Sequence, residues 1–264
     1  LTVDLNMIIT NNIMTEEYDL VICVFGCDTV EKYRNQILKI NETWGKDAES
    51  NPNVKLLYFL GEEKTSLQGS QYINLSGVKN DYASCAYKQF LGLKYIHEHY
   101  TAKFTICAGT DTYINVPKLV NYLFRFNHKA NLYIGGHGDY RQIIDRTVYF
   151  HSGGAGFVIT QECLRQLYPK LTTITDDWNE LCSKNNYYYY LGACDLAIAY
   201  YLQHPDIQST VIKADDCLFN GCNYKGNPCH SDVIHTKNII TCHFMSLEDF
   251  DEFNKILKLN NYYV

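Results

Sequence analysis

The front half of the chain alternates short apolar runs with stretches whose apolar residues recur every three or four positions. Residues 18–25 (YDLVICVF) are almost continuously apolar, the pattern of a strand buried on both faces. Asp28 or Thr29 then stands where a helix cap is expected, and Val30, Tyr33, Ile37, Ile40 and Trp44 follow at helical spacing, with Gly45 as the stop. Residues 54–60 predict a second strand ending at Gly61, and residues 72–75 a short third. From about Asp81, the stripe Tyr82, Cys85 or Ala86, Phe90, Leu93 and Ile96 or His97 predicts a capped helix. Residues 104–107 predict a fourth strand, which stops at Ala108-Gly109-Thr110-Asp111. Pro117 fits the first turn of a helix carrying Leu119, Val120 and Leu123, and residues 132–134 run as a strand into Gly135-Gly136.

Such repetition builds a mostly parallel sheet with helices on both faces, and its ligands gather at the carboxyl ends of the strands. The second half is less regular. It holds VYFHSGGAGFVIT, a helix from about Gln161, a polar loop with Asp176-Asp177-Trp178, and a helix over residues 193–202. Strands at residues 210–213 and 239–244 and a helix from about Leu247 complete it. No Pro/Ser-rich linker or internal repeat separates the halves. The expectation is one α/β domain over residues 1–264: an N-terminal extension (1–17), a regular half (18–135) and an elaborated half (136–264).

Composition narrows the function. With 264 residues and 46% hydrophobic content the chain can bury a sizeable core. A formal net charge of −6 without a long Lys/Arg run gives no electrostatic footprint for nucleic acid or an anionic membrane. No segment reaches the roughly 18–20 apolar residues of a membrane span. The chain begins at Leu1 rather than Met, which leaves room for an anchor, signal or stem only upstream. The 23 tyrosines, four of them consecutive from Tyr187 to Tyr190, suit either sugar stacking or half-buried strand positions, and the structural reading is favoured. Eleven cysteines include no zinc-like spacing. Cys217, Cys222 and Cys229 lie in a Gly/Asn/Pro-bearing loop that a disulfide could staple. Sequons begin at Asn41 and Asn74 and decide nothing alone.

Four places carry candidate chemistry. Asp111, a lone carboxylate after an apolar strand, suits a divalent metal held against a diphosphate, or else a cap of the following turn. His243, within the run IITCHF, is either a core histidine or a metal ligand, and with Asp111 it makes an acceptable Mn²⁺ set. Ser152, Gly153, Gly154, Ala155 and Gly156 have too little side chain to pack a core, so they line a sugar or acceptor site or form a tight turn. Asp195 opens an apolar helix, as a general base or only as a charge favourable at a helix N-terminus.

Taken in order, Thr43-Trp44-Gly45, the Asp81 to Lys88 segment, GTDTYINVPKLVNYL, GGHGDYR, FHSGGAGFVIT, CDLAIAYYL and TCHF resemble the fringe and mucin core galactosyltransferase branch of the β1,3-glycosyltransferases. The resemblance spans roughly residues 18–245. It implies a GT-A-type fold, a Rossmann-like α/β/α sandwich, with residues 18–135 binding a nucleotide sugar and residues 136–264 facing the acceptor. It also implies Mn²⁺ (or Mg²⁺), a UDP-sugar donor, a glycan or glycoprotein acceptor and inversion at the anomeric carbon. By position, Asp111 and His243 correspond to metal ligands and Asp195 to the catalytic base. Trp44, Asp81, Lys88, Gly109, Thr110 and Thr112 correspond to donor-side positions. The chain departs from the family where Gly109-Thr110 replaces acids and Cys194 replaces the acid before the base. An active hexosyl- or N-acetylhexosaminyltransferase with altered donor contacts is the expectation, and a non-catalytic nucleotide-sugar or glycan binder is the rival. The compartment implied is a secretory lumen for a eukaryotic source and the cytoplasm for a viral or bacterial one.

Overall fold

The computed structural model describes residues 15–62, 66–215, 217–226 and 236–260. In chain order, β1 (Glu16–Phe25) leads to α1 (Glu31–Glu42), α2 (Trp44–Glu49), β2 (Val54–Leu60) and β3 (Tyr72–Asn74). Next come α3 (Cys85–His99), β4 (Tyr100–Ala108), β5 (Tyr113–Ile114), α4 (Val116–Leu123) and β6 (Leu132–Gly135). The hairpin β7 (Gly138–Ile143) and β8 (Arg146–His151) precedes β9 (Phe157–Thr160), α5 (Gln161–Leu167), α6 (Ile174–Lys184) and α7 (Cys194–Leu202). Strands β10 (Thr210–Lys213), β11 (Phe219–Asn220) and β12 (Thr241–Cys242) and helix α8 (Leu247–Leu259) complete the chain.

Seven strands form the central sheet in the order β10-β6-β9-β4-β1-β2-β3. Only β9 runs against its neighbours, β4 and β6, while β1 pairs in parallel with both β2 and β4. The period of two along β1 explains the layers. Leu20, Ile22 and Val24 enter a core shared with residues of α1, α2, α4 and α8, and Val21 and Cys23 enter a second core shared with α3, α5, α6 and α7. The result is one three-layer α/β/α domain whose sheet draws strands from both halves. Among the described residues, no helix is long and apolar enough to cross a membrane.

Several boundaries differ from those expected, for local reasons. The helix before Gly45 breaks at Thr43, whose backbone leaves the helical region while its Oγ1 bonds the Lys39 carbonyl at 2.7 Å. Gly45 therefore lies inside α2, where a Cβ would come within 2.7 Å of the Ile40 carbonyl oxygen. Asp28 does not cap α1; its carboxylate accepts from Asn80 Nδ2 and the Ser66 amide. The helix expected from Asp81 begins at Cys85, with Asp81 Oδ1 accepting the Ser84 amide at 2.9 Å in the turn before it. Asp176, Asp177 and Trp178 form helix rather than loop: they open α6, and the buried Trp178 donates Nε1–H to the Tyr190 carbonyl. The strand over residues 239–244 shrinks to β12, which ends before Phe244, where the backbone turns to φ 56°. The proposed N-terminal extension ends in β1, whose first two residues are Glu16 and Glu17. Cys229 of the proposed staple lies outside the described residues. Asn41 is engaged in the fold, donating to the Tyr72 hydroxyl at 2.6 Å and accepting from that of Tyr58 at 2.7 Å.

Candidate active site

The ends of β1 and β4 lie side by side, with Val24 opposite Ala108. The segments that leave them, Gly26-Cys27 and Gly109-Thr110-Asp111, open into one cavity of about 760 Å³. Its size falls within the roughly 300–1,000 Å³ usual for ligand clefts. Gly26 allows the two segments to approach, since a Cβ there would meet Ile37 Cδ1 and Thr110 Cγ2 at 3.0 Å.

On one wall the carboxylate Oδ1 of Asp111 stands 3.5 Å from His243 Nε2. Burial pushes the Asp111 carboxyl up, but the His243 ring and Lys32 outweigh it and hold the carboxyl below its ordinary value. The Met245 amide bonds the Asp111 carbonyl at 3.0 Å, which ties the β12 exit to the β4 exit. Gly154 makes room for the imidazole: a Cβ there would fall 2.0 Å from His243 Cε1.

Asp195 lines the same cavity from the first turn of α7. Its Oδ2 accepts the Gly153 amide at 3.3 Å and its Oδ1 the Leu196 amide at 2.9 Å. Burial nevertheless dominates and raises its carboxyl above the ordinary value. The glycine run thus connects the two acidic groups, Gly153 touching Asp195 and Gly154 touching His243. Thr112, fully buried, donates to the Gly154 carbonyl at 2.9 Å and clamps that run to the β4 exit.

Lys88 forms another part of the wall. It is 1% exposed, and its Nζ donates to the Asp81 carbonyl at 2.6 Å. Burial lowers its ammonium from the usual lysine range. The Cys194 thiol, also in the wall, is pushed well up by the neighbouring Cys85 thiol and by burial.

The cavity gathers Asp111, His243, Asp195, Asp81, Lys88, Gly109, Thr110, Gly153, Gly154 and Cys194. It does not gather Trp44, which is fully buried in the core beneath α1 and α2. Ser152, Ala155 and Gly156 also stand outside its lining and shape the turn instead. The Ser152 amide bonds the His137 carbonyl, Ala155 is buried, and Gly156 has φ 79°. Lys32, Tyr33, Tyr82 and Phe244 line the cavity as well. Tyr33 and Tyr82 resembled core stripe positions in the sequence: for Tyr33 periodicity cannot distinguish a helix face turned to a core from one turned to a cleft, and Tyr82 falls in the turn before α3 rather than in the helix.

A mostly parallel sheet with a carboxylate-bearing cleft at its strand ends defines an α/β protein of the ligand-binding, doubly wound kind. Comparison with known proteins makes that class specific. Residues 15–188 match the Fringe-like family. The chain is 27% identical to mouse chondroitin sulfate synthase 3 over 161 residues, which is 55% of this chain and 18% of that protein. It is 32% identical to human chondroitin sulfate synthase 3 over 107 residues, 38% of this chain and 12% of that protein. The chain therefore spans less than a fifth of these curated relatives. In structure it resembles a glycosyltransferase involved in the glycosylation of the major capsid of PBCV-1, with TM-score 0.51 and 14% identity, covering 89% of this chain and 99% of that one. The chain belongs to the Fringe-like family.

Proposed function

We propose that the chain catalyses metal-dependent, inverting transfer of a hexosyl or N-acetylhexosaminyl group from a UDP-sugar to a hydroxyl of a glycan or glycoprotein, forming a β-linkage. The observation that carries this reading is the pairing, in one cavity, of a half-buried carboxylate whose pKa is raised with an Asp111–His243 pair 3.5 Å apart. The likeness to proteins named chondroitin sulfate synthase supports a glycan acceptor.

The donor set fits a Mn²⁺ or Mg²⁺ ion. No three His, Cys, Asp or Glu side chains form a metal cage among the described residues, but such ions commonly rest on one or two side chains and take their other ligands from phosphates and water. Asp111 and His243 would hold it, and it would supply Lewis-acid neutralisation of the diphosphate. Asp195 acts on the acceptor. Two backbone amides orient its oxygens, and its raised pKa makes it the stronger base for a hydroxyl proton. The acceptor oxygen bonds to the anomeric carbon as the bond from that carbon to the UDP oxygen breaks. The hydroxyl proton passes to Asp195, and UDP leaves with the bonding pair. Lys88, a buried cation tied to Asp81, places positive charge on the donor wall.

Incubating the protein with a panel of UDP-sugars and Mn²⁺, and following UDP release, tests the reading and names the donor. UDP release from one or two sugars is expected. UDP binding without release from any would favour the non-catalytic binder.

A further inference from the structure

We propose that Phe244 is the acceptor platform of this site: a pyranose ring stacks on its exposed face, which turns a hydroxyl of that ring toward Asp195. The inference rests on the transferase reading and specifies its acceptor as a sugar ring rather than a serine or threonine side chain.

The backbone of Phe244 has φ 56°, a conformation rare for a bulky side chain. Its neighbours impose it. The His243 amide bonds the carbonyls of Asn220 and Cys222, Asn223 Nδ2 bonds the Phe244 carbonyl at 3.1 Å, and the Met245 amide bonds the Asp111 carbonyl. A strained phenylalanine is ordinarily explained by the core its ring fills. This ring fills none: the residue is 63% exposed, lines the cavity, and lies on the His243 ring with centroids 3.7 Å apart and planes 28° apart. Local strain of this kind gathers at ligand clamps, where the surroundings hold a side chain for use.

Its place in the cavity assigns the ligand. Contacts run from Asp195 to Gly153 and from Gly154 to His243, on which Phe244 stacks. Phe244 therefore lines the same cavity as the base and is linked to it through the glycine run, which touches both His243 and Asp195. The other large exposed ring of the cavity, Tyr82, is 69% exposed but already stacks on Tyr33 at 5.8 Å and follows Asp81 on the donor wall. A phenyl face has no hydrogen-bonding group, so it selects a ligand with a flat apolar face. Among hydroxyl acceptors a pyranose provides one in its C–H face and keeps its hydroxyls at the ring edge, within reach of a carboxylate.

The probes are methyl β-D-galactopyranoside and methyl β-D-glucopyranoside, observed by saturation-transfer NMR on the full chain with UDP and Mn²⁺ present. Wild type and Phe244→Tyr should bind at least one of them, and Phe244→Gly should bind it about tenfold more weakly, the loss typical of a well-packed aromatic anchor. Glycine suits the left-handed backbone, so Phe244→Gly should melt no lower than wild type, and the loss cannot be laid to unfolding. Where transfer to the glycoside is measurable, KM should rise by the same factor with a smaller change in kcat. Equal binding by Phe244→Gly and wild type, or binding of neither glycoside by wild type, overturns the proposal. Absence of UDP-sugar turnover by wild type instead overturns the transferase reading and leaves the NMR comparison to decide Phe244.

Discussion

Replacing Gly154 with alanine isolates the Asp111–His243 pair with one methyl group. The new Cβ would lie 2.0 Å from His243 Cε1, 2.3 Å from Nδ1 and 2.4 Å from Nε2. Carbon atoms pack best about 3.5–4.0 Å apart, so the ring must retreat by about 1.5 Å. Nε2 is 3.5 Å from Asp111 Oδ1, and a retreat of that size separates the two. Misplacing a catalytic group by roughly 1 Å can cost about 10²-fold in rate. The stability cost should be the roughly 1–3 kcal/mol of an overpacked site, about 10 °C in Tm at most. Gly153→Ala is the matched control. A Cβ there would meet Asp195 Cβ at 3.6 Å and Oδ2 at 3.9 Å, ordinary contacts. Measured by UDP release with Mn²⁺ and by thermal melting, Gly154→Ala should lose about two orders of magnitude in rate while still folded, and Gly153→Ala should lose far less. Wild-type turnover in Gly154→Ala, or equal losses in both variants, would refute the role given to the His243 position.

Three further outcomes follow from the same geometry. In calorimetric and melting measurements UDP should stabilise the protein with Mn²⁺, by about 2.7 kcal/mol at a hundredfold excess over Kd, and much less with chelator or in Asp111→Ala. Thr110→Asp should alter donor preference and lower stability, because Thr110 is buried and donates to Gln36 Oε1 at 2.7 Å, where a carboxylate would oppose that oxygen; unchanged donor choice and Tm would remove this account of the missing acids. Burial raises the Asp195 carboxyl, so the acid limb of kcat/KM should lie above the ordinary carboxylate range, with activity growing as pH rises through it. Its effect on stability has the opposite sense, present at low pH and lost as pH rises through that raised pKa. A limb at the ordinary aspartate value would count against Asp195 as the base.

Strong periodicity made most of the fold legible. The run at residues 18–25, the stripe of α3 and the Pro117 start of α4 each carry a pattern that burial alone can explain. The β7–β8 hairpin was not legible, because its first strand, GDYRQI, is mostly polar and its turn depends on Ile144 at φ 51° rather than on a glycine. Asp111 stood out as a carboxylate ending an apolar strand, and Asp195 as a carboxylate opening an apolar helix beside a glycine-bearing turn. Trp44 shows the converse: its family position suggested the donor pocket, yet its size and the break at Thr43 place it in the core. Phe244 gave no signal, since the backbone turn that exposes it is imposed by loops distant in sequence.

The most direct test of the account is transfer by Asp195→Asn, measured beside its UDP affinity and melting temperature. The substitution keeps the shape but sets an NH2 against one of the two backbone amides that the carboxylate accepts, so the variant should stay folded and melt no more than a few degrees below wild type at neutral pH. UDP affinity should be nearly unchanged, because Asp195 faces the acceptor rather than the diphosphate. The transfer rate should fall by roughly 10²–10⁴, the usual contribution of a general base. Near-normal turnover in a folded, UDP-binding variant would contradict the assignment and move the base elsewhere.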